Sequence, residues 1–97
     1  MDKFEHDYEN FPNGEICSEH YWKNSDFHRT DGPAYITYSP GNILSYHTYD
    51  YEGRDKTQYA KKVIKELEIS DDFREWTDEQ KLMFSFHFLL ELERSDF

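Results

Sequence analysis

A twelve-residue pattern occurs twice in this chain. Phe11-Pro-Asn-Gly-Glu-Ile-Cys-Ser-Glu-His-Tyr-Trp22 lies over Tyr38-Ser-Pro-Gly-Asn-Ile-Leu-Ser-Tyr-His-Thr-Tyr49 at a spacing of 27 residues. Gly14/Gly41, Ile16/Ile43, Ser18/Ser45 and His20/His47 are identical pairs, and Phe11/Tyr38 and Trp22/Tyr49 stay aromatic. A Gly-containing turn, then period-two alternation, then an aromatic describes one β-hairpin unit used twice. Such a chain must build an antiparallel sheet in this half, because short turns join strands only antiparallel.

The first copy predicts a strand from Glu15 to Lys23, with Ile16, Ser18, His20 and Trp22 on one face and Cys17, Glu19 and Tyr21 on the other. Ala34–Tyr38 and Ile43–Tyr51 are expected as second and third strands, with Pro33 tolerated at a strand start. Asn24 to Ala34 reads as a long polar turn. In residues 1–10, Phe4, His6 and Tyr8 alternate with acids, which suits an N-terminal arm or an edge strand. Repeat equivalence places His20 and His47 on one sheet face.

Phe-Pro-Asn-Gly-x-Ile-x-Ser-Glu-x-Tyr-Trp-x-Asn, followed by His28-Arg29-Thr30-Asp31-Gly32-Pro33-Ala34, resembles a short β-repeat widespread in bacteriophages, large DNA viruses and some bacteria. That repeat is loosely similar to MORN repeats and carries an "NG…HR-DGPA" signature. The resemblance covers about residues 11–55, as one full copy and one degraded copy. Members usually carry Gly where this chain has Ser25. The resemblance implies a β-meander and a mobile-element setting. It implies no reaction, and no catalytic residue is carried over from it.

From residue 56 the period changes. Tyr59, Ala60, Val63, Ile64 and Leu67 form one helical stripe, with Lys61, Lys62, Lys65 and Glu66 outside, and Asp55 or Thr57 available as caps. Thr77-Asp-Glu-Gln80 is a capping-box pattern opening a second helix that runs to about Arg94. That helix is apolar nearly all round. Phe84, Phe86 and Phe88 are therefore candidates for an oligomer interface beyond what a small core can cover. The expected fold is α+β: one domain, 1–97, with the arm at 1–10, a β-repeat region at 11–55, and two to three helices at 56–97 packed on the sheet.

The chain carries 21 acids against 11 bases, a net charge of −10, so a direct electrostatic grip on nucleic acid is excluded. A basic protein surface is the partner this balance favours. Residues 1–55 hold −7 of that charge and residues 56–97 hold −3. Candidate partner-binding acids are Asp71, Asp72, Glu75, Asp78 and Glu79 around the helix–helix turn, with Glu15 and Glu19 on the sheet.

A single cysteine, Cys17, excludes an internal disulfide and a Cys-based zinc site. The five histidines lack ligand spacing, and His28, Arg29 and Asp31 read as turn-stabilising. No catalytic, cofactor or metal residues are expected, nor a secretory signal or a membrane span, which makes the cytoplasm the default compartment. The expected function is a non-enzymatic acidic protein, of phage or mobile-element origin, that inhibits a host protein such as a CRISPR or restriction nuclease by occupying its basic surface. The alternative is a structural module in which the apolar last helix pairs two copies as a homodimer.

Overall fold

The computed structural model describes residues 1–95. Seven strands come first: β1 (Phe4–Asn10), β2 (Ile16–Lys23), β3 (Asp26–Phe27), β4 (Tyr35–Ser39), β5 (Ile43–Thr48), β6 (Asp50–Tyr51) and β7 (Arg54–Asp55). Two helices follow, α1 (Thr57–Leu67) and α2 (Asp78–Ser95), with a 3₁₀ turn at Phe73–Glu75 between them. The main sheet has the order β1-β2-β4-β5, with β3 also paired to β2, and every pairing is antiparallel. The architecture is thus α+β, a meander followed by two helices. Residues 1–10 include a true edge strand.

The 27-residue repeat survives as two hairpins, β1–β2 and β4–β5, whose turn glycines Gly14 and Gly41 share a φ of +91°. Each hairpin also carries a bulge, and here the copies part. In the first hairpin Glu9 faces Ser18 and Asn10 faces Ile16, so Cys17 is the extra residue. In the second Thr37 faces Tyr46 and Tyr38 faces Leu44, so Ser45 is the extra residue. The bulge has moved one position along the repeat. A one-residue slip exchanges the two faces of a strand. His20 therefore pairs with Tyr35 on the open face, while His47 pairs with Ile36 on the helix-covered face. The expectation of one shared histidine face is wrong for that reason.

The expected long turn at Asn24–Ala34 contains a tight hairpin. Lys23 faces Asp26, and the two residues between, Asn24 and Ser25, have φ of 51° and 71°. A two-residue hairpin with both central φ positive is a type I′ turn, which favours Gly at its second position. Ser25→Gly is accordingly expected to raise stability by roughly 0.5–1 kcal/mol, since a left-handed L-residue costs about 1–2 kcal/mol and glycine returns part of that as unfolded-state entropy. The midpoint of urea unfolding measures it. The third expected strand ends early because Tyr49 leaves the sheet. Its N–H donates to Thr57 Oγ1 at 3.0 Å and its carbonyl accepts from Lys56 N at 2.6 Å, which fastens the start of α1 to the sheet.

The stripe read for α1 packs inward, with Ala60, Val63 and Ile64 buried and Tyr59 and Leu67 against the same core. Its N-cap is Lys56, which makes no side-chain cap bond; Asp55 instead accepts from the N–H and hydroxyl of Thr57. The capping box of α2 forms as spaced: Gln80 N–H donates to Thr77 Oγ1 at 3.1 Å, and Thr77 N–H donates to Gln80 Oε1 at 3.0 Å. Along α2 the core side is Phe84, Phe88, Glu91 and Leu92. Phe84 and Phe88 are fully buried, stacked at 5.2 Å, while Phe86 is 63% exposed. Phe84 and Phe88 therefore cannot belong to an oligomer interface; they are one helical turn apart on the core face. Buried Glu91 reaches out to Lys62 of α1 at 2.6 Å. Tyr49, 1% exposed, packs on Phe84 and Phe88, and its hydroxyl has no hydrogen-bond partner among the described residues.

Candidate functional site

The HR-DGPA segment lies beside an open cleft of about 540 Å³, bordered by His6, Tyr21, His28, Arg29, Asp31, Asp78 and Lys81. The Tyr21 ring is sandwiched. His6 stacks on one side at 4.1 Å and 6°, and the Arg29 guanidinium lies 3.9 Å from the ring centroid. Arg29 Nε donates to Asp31 Oδ1 at 2.9 Å, and its Nη1 donates to the Pro33 carbonyl at 3.1 Å. Asp31 thus holds Arg29 rather than backbone amides. His28 is buried, and its Nδ1 accepts from Glu52 N–H at 3.0 Å, so its ring is the neutral Nε2–H tautomer. Arg29 N–H donates to the Asp50 carbonyl, and Gly53 N–H donates to the Phe27 carbonyl. These groups are spent on joining the first hairpin to the β6–β7 turn. No nucleophile stands beside a base here.

Burial holds the pKa of His28, and that of half-buried His47, below the ordinary histidine value. Both histidines stay neutral in the fold while the unfolded chain takes up protons below about pH 6.5. Stability conferred by neutral burial is therefore present above pH 6.5 and is lost as pH falls toward the lowered folded values. Below pH 6.5 the expected slope is at most about 1.4 kcal/mol per pH unit per histidine. His28→Asn, which keeps an acceptor in place of Nδ1, is expected to flatten the slope in urea titrations run at each pH, with the contribution of His47 remaining.

The candidate acids do not form one surface. Glu19 is half-buried; it accepts from Tyr38 Oη at 2.5 Å and bonds His6 Nε2 at 3.2 Å. Glu15 bonds Asn13 Nδ2 and the Gly41 amide, tying the two repeat turns together. Asp72 caps the 3₁₀ turn and grips Arg74 through both carboxylate oxygens, and Arg74 reaches the Asn42 carbonyl. The hydrogen bond from Arg74 is also the main reason the Asp72 carboxyl lies below its ordinary pKa. Glu75 accepts from Ser70 Oγ. Glu15, Glu19, Asp72 and Glu75 are thus tied into local structure as well, Glu75 while remaining exposed. Asp71, Asp78 and Glu79 are exposed.

A different acidic row emerges from the register of β1. Glu5 faces Trp22, Asp7 faces His20 and Glu9 faces Ser18, so all three carboxylates share the open face of the sheet. Behind them runs a continuous aromatic strip. Trp22 stacks on Phe27 at 4.3 Å, Phe27 meets Tyr35 edge-on at 5.5 Å, His20 lies 5.6 Å from Tyr35, and Tyr35 leads to exposed Tyr46 at 6.4 Å. Asp7 joins row and strip: His20 Nδ1–H donates to its Oδ1 at 2.8 Å, and Trp22 Nε1–H to its Oδ2 at 3.3 Å. The His20 bond, with help from Trp22, holds the Asp7 carboxyl below its ordinary pKa, so it stays ionised.

No protein-family model, curated protein or solved structure matches this chain. The function is therefore argued from the site. Among the described residues no group of three His, Cys, Asp or Glu is placed to hold a metal ion, and no helix is long and apolar enough to cross a membrane. The alternation of Glu5, Asp7 and Glu9 was visible in the sequence. Its partner row was not, because nothing local says which face of β2 lies behind it.

Proposed function

We propose that this protein is a non-enzymatic acidic binding protein that occupies a basic surface of another protein, one that otherwise holds single-stranded nucleic acid. The observation that carries this is the Glu5–Asp7–Glu9 row beside the His20–Trp22–Phe27–Tyr35–Tyr46 strip. Alternate residues of a strand stand about 7 Å apart on one face. The open face therefore offers a regular anionic repeat next to a row of rings. A single strand presents the same two features, spaced phosphates and stackable bases, to the positively charged groove and stacking platforms of the proteins that grip it. The carboxylates also protect edge strand β1 from pairing with other chains, which accounts for charge there but not for the aromatic strip. The mobile-element setting implied by the repeat makes a host defence nuclease the first partner to try.

The test is capture of partners from host lysate on immobilised protein, with elution by salt and competition by a single-stranded oligonucleotide. Binding is expected to weaken steeply between low and high salt, to be displaced by the oligonucleotide, and to be lost in the Glu5→Lys, Asp7→Asn, Glu9→Lys variant. Partner binding that survives this triple change, or that ignores salt, overturns the reading.

A further inference from the structure

We infer that α2 pairs two copies of this chain as an antiparallel dimer centred on Phe86. The side of α2 opposite the core carries Leu82, Met83, Phe86, Leu89 and Leu90, all exposed, with Leu82 74% exposed. Relative to Phe86 these stand at −4, −3, 0, +3 and +4. The pattern is its own mirror along the helix. A two-fold interface requires the same patch on both subunits to be self-complementary, and antiparallel pairing about Phe86 sets Leu82 near the second copy's Leu90 and Met83 near its Leu89.

The surface is also shaped for a helix. Leu82, Ser85, Phe86 and Leu89 are spaced i, i+3, i+4, i+7, the four corners of a hole that receives a knob from a facing helix. Small Ser85 keeps the hole open, and the apolar depression there measures about 500 Å³. Antiparallel packing also opposes the two macrodipoles. The patch covers little more than two turns, about 12 Å along the axis, so the interface is small and the expected dissociation constant is on the order of 10 μM.

Glu79 and Glu93 stand at −7 and +7, so the dimer sets each Glu79 opposite the second copy's Glu93. Two copies of net charge −10 also repel at long range. Dimerisation is thus expected to tighten with added salt, the reverse of binding to a basic partner. Glu93→Lys turns two repulsions into two ion pairs and is expected to tighten the dimer about three- to tenfold at low salt.

Sedimentation equilibrium on the full chain, across concentration and salt, reads these effects, with circular dichroism to verify folding. Phe86→Glu, at an exposed position, is expected to weaken association at least about a hundredfold. A chain that stays monomeric at high concentration and high salt overturns the inference. So does a dimer indifferent to Phe86→Glu, or one weakened by Glu93→Lys, since the arrangement sets residue 93 against Glu79 of the second copy. None of these residues lies in the Glu5–Asp7–Glu9 row, so this inference and the proposed function fail separately.

Discussion

Phe84→Ala is expected to cost about 3–5 kcal/mol of folding stability, the usual range for emptying a fully buried aromatic site. Phe86→Ala, two residues along the same helix, is expected to change monomer stability by less than about 0.5 kcal/mol. The contrast comes from the wheel of α2. Phe84 has no exposed surface and packs on Trp76 at 4.8 Å, Phe88 at 5.2 Å and Tyr49 at 5.5 Å. It is the point where the segment entering α2, α2 itself and the departing strand meet. A loss of that size is a large fraction of the roughly 5–15 kcal/mol that stabilises a domain of this class. Urea unfolding at dilute monomer concentration measures both variants; equal losses would show that α2 sits rotated from the arrangement described.

Gly32→Ala and Arg29→Ala are each expected to cost about 2–4 kcal/mol, and the double variant little more than Arg29→Ala alone. A Cβ on Gly32 would lie 2.8 Å from Arg29 Cζ. A free arginine would swing away at small cost. This one is pinned by Asp31, by the Pro33 carbonyl and by the Tyr21 ring. Displacing it loses a charge-assisted hydrogen bond, worth about 1.5–3 kcal/mol, and a cation–π contact of about 0.5–1 kcal/mol. Because Gly32→Ala acts through Arg29, removing Arg29 first leaves it nothing to disrupt, and additivity fails. A double-mutant cycle by urea unfolding decides this, and fully additive losses would separate the glycine from the arginine. The outcome bears on the motif itself. Gly32 is needed for space rather than for backbone freedom, and the segment's charged residues fasten its turn onto the Tyr21 ring of β2.

What was legible in the sequence is what local chemistry decides. The two glycine turns, the alternation in β2, the α1 stripe and the Thr77–Gln80 capping box all depend on residues within a few positions of one another. The misreadings share one cause. The pairing of His20 with His47 assumed an unbroken repeat, and a bulge shifted by one residue reversed the face. The grouping of Phe84, Phe86 and Phe88 treated an apolar run as one surface, whereas the 100° step of a helix sends alternate residues to different sides. The partners of Glu15 and Glu19, the Gly41 amide and the Tyr38 hydroxyl, were hidden for a related reason: they lie 26 and 19 residues away.

By itself, then, the sequence determined an α+β chain with a doubled hairpin, a net charge of −10 and a last helix too apolar for one small core. Tertiary structure alone decided which carboxylates remain exposed, which aromatic rings line up behind them, and which side of α2 is left uncovered. The physical reason is register. Strand pairing and helix rotation are set by contacts between distant segments; a shift of a single residue sends every side chain of a strand to the opposite face and turns those of a helix by about 100°.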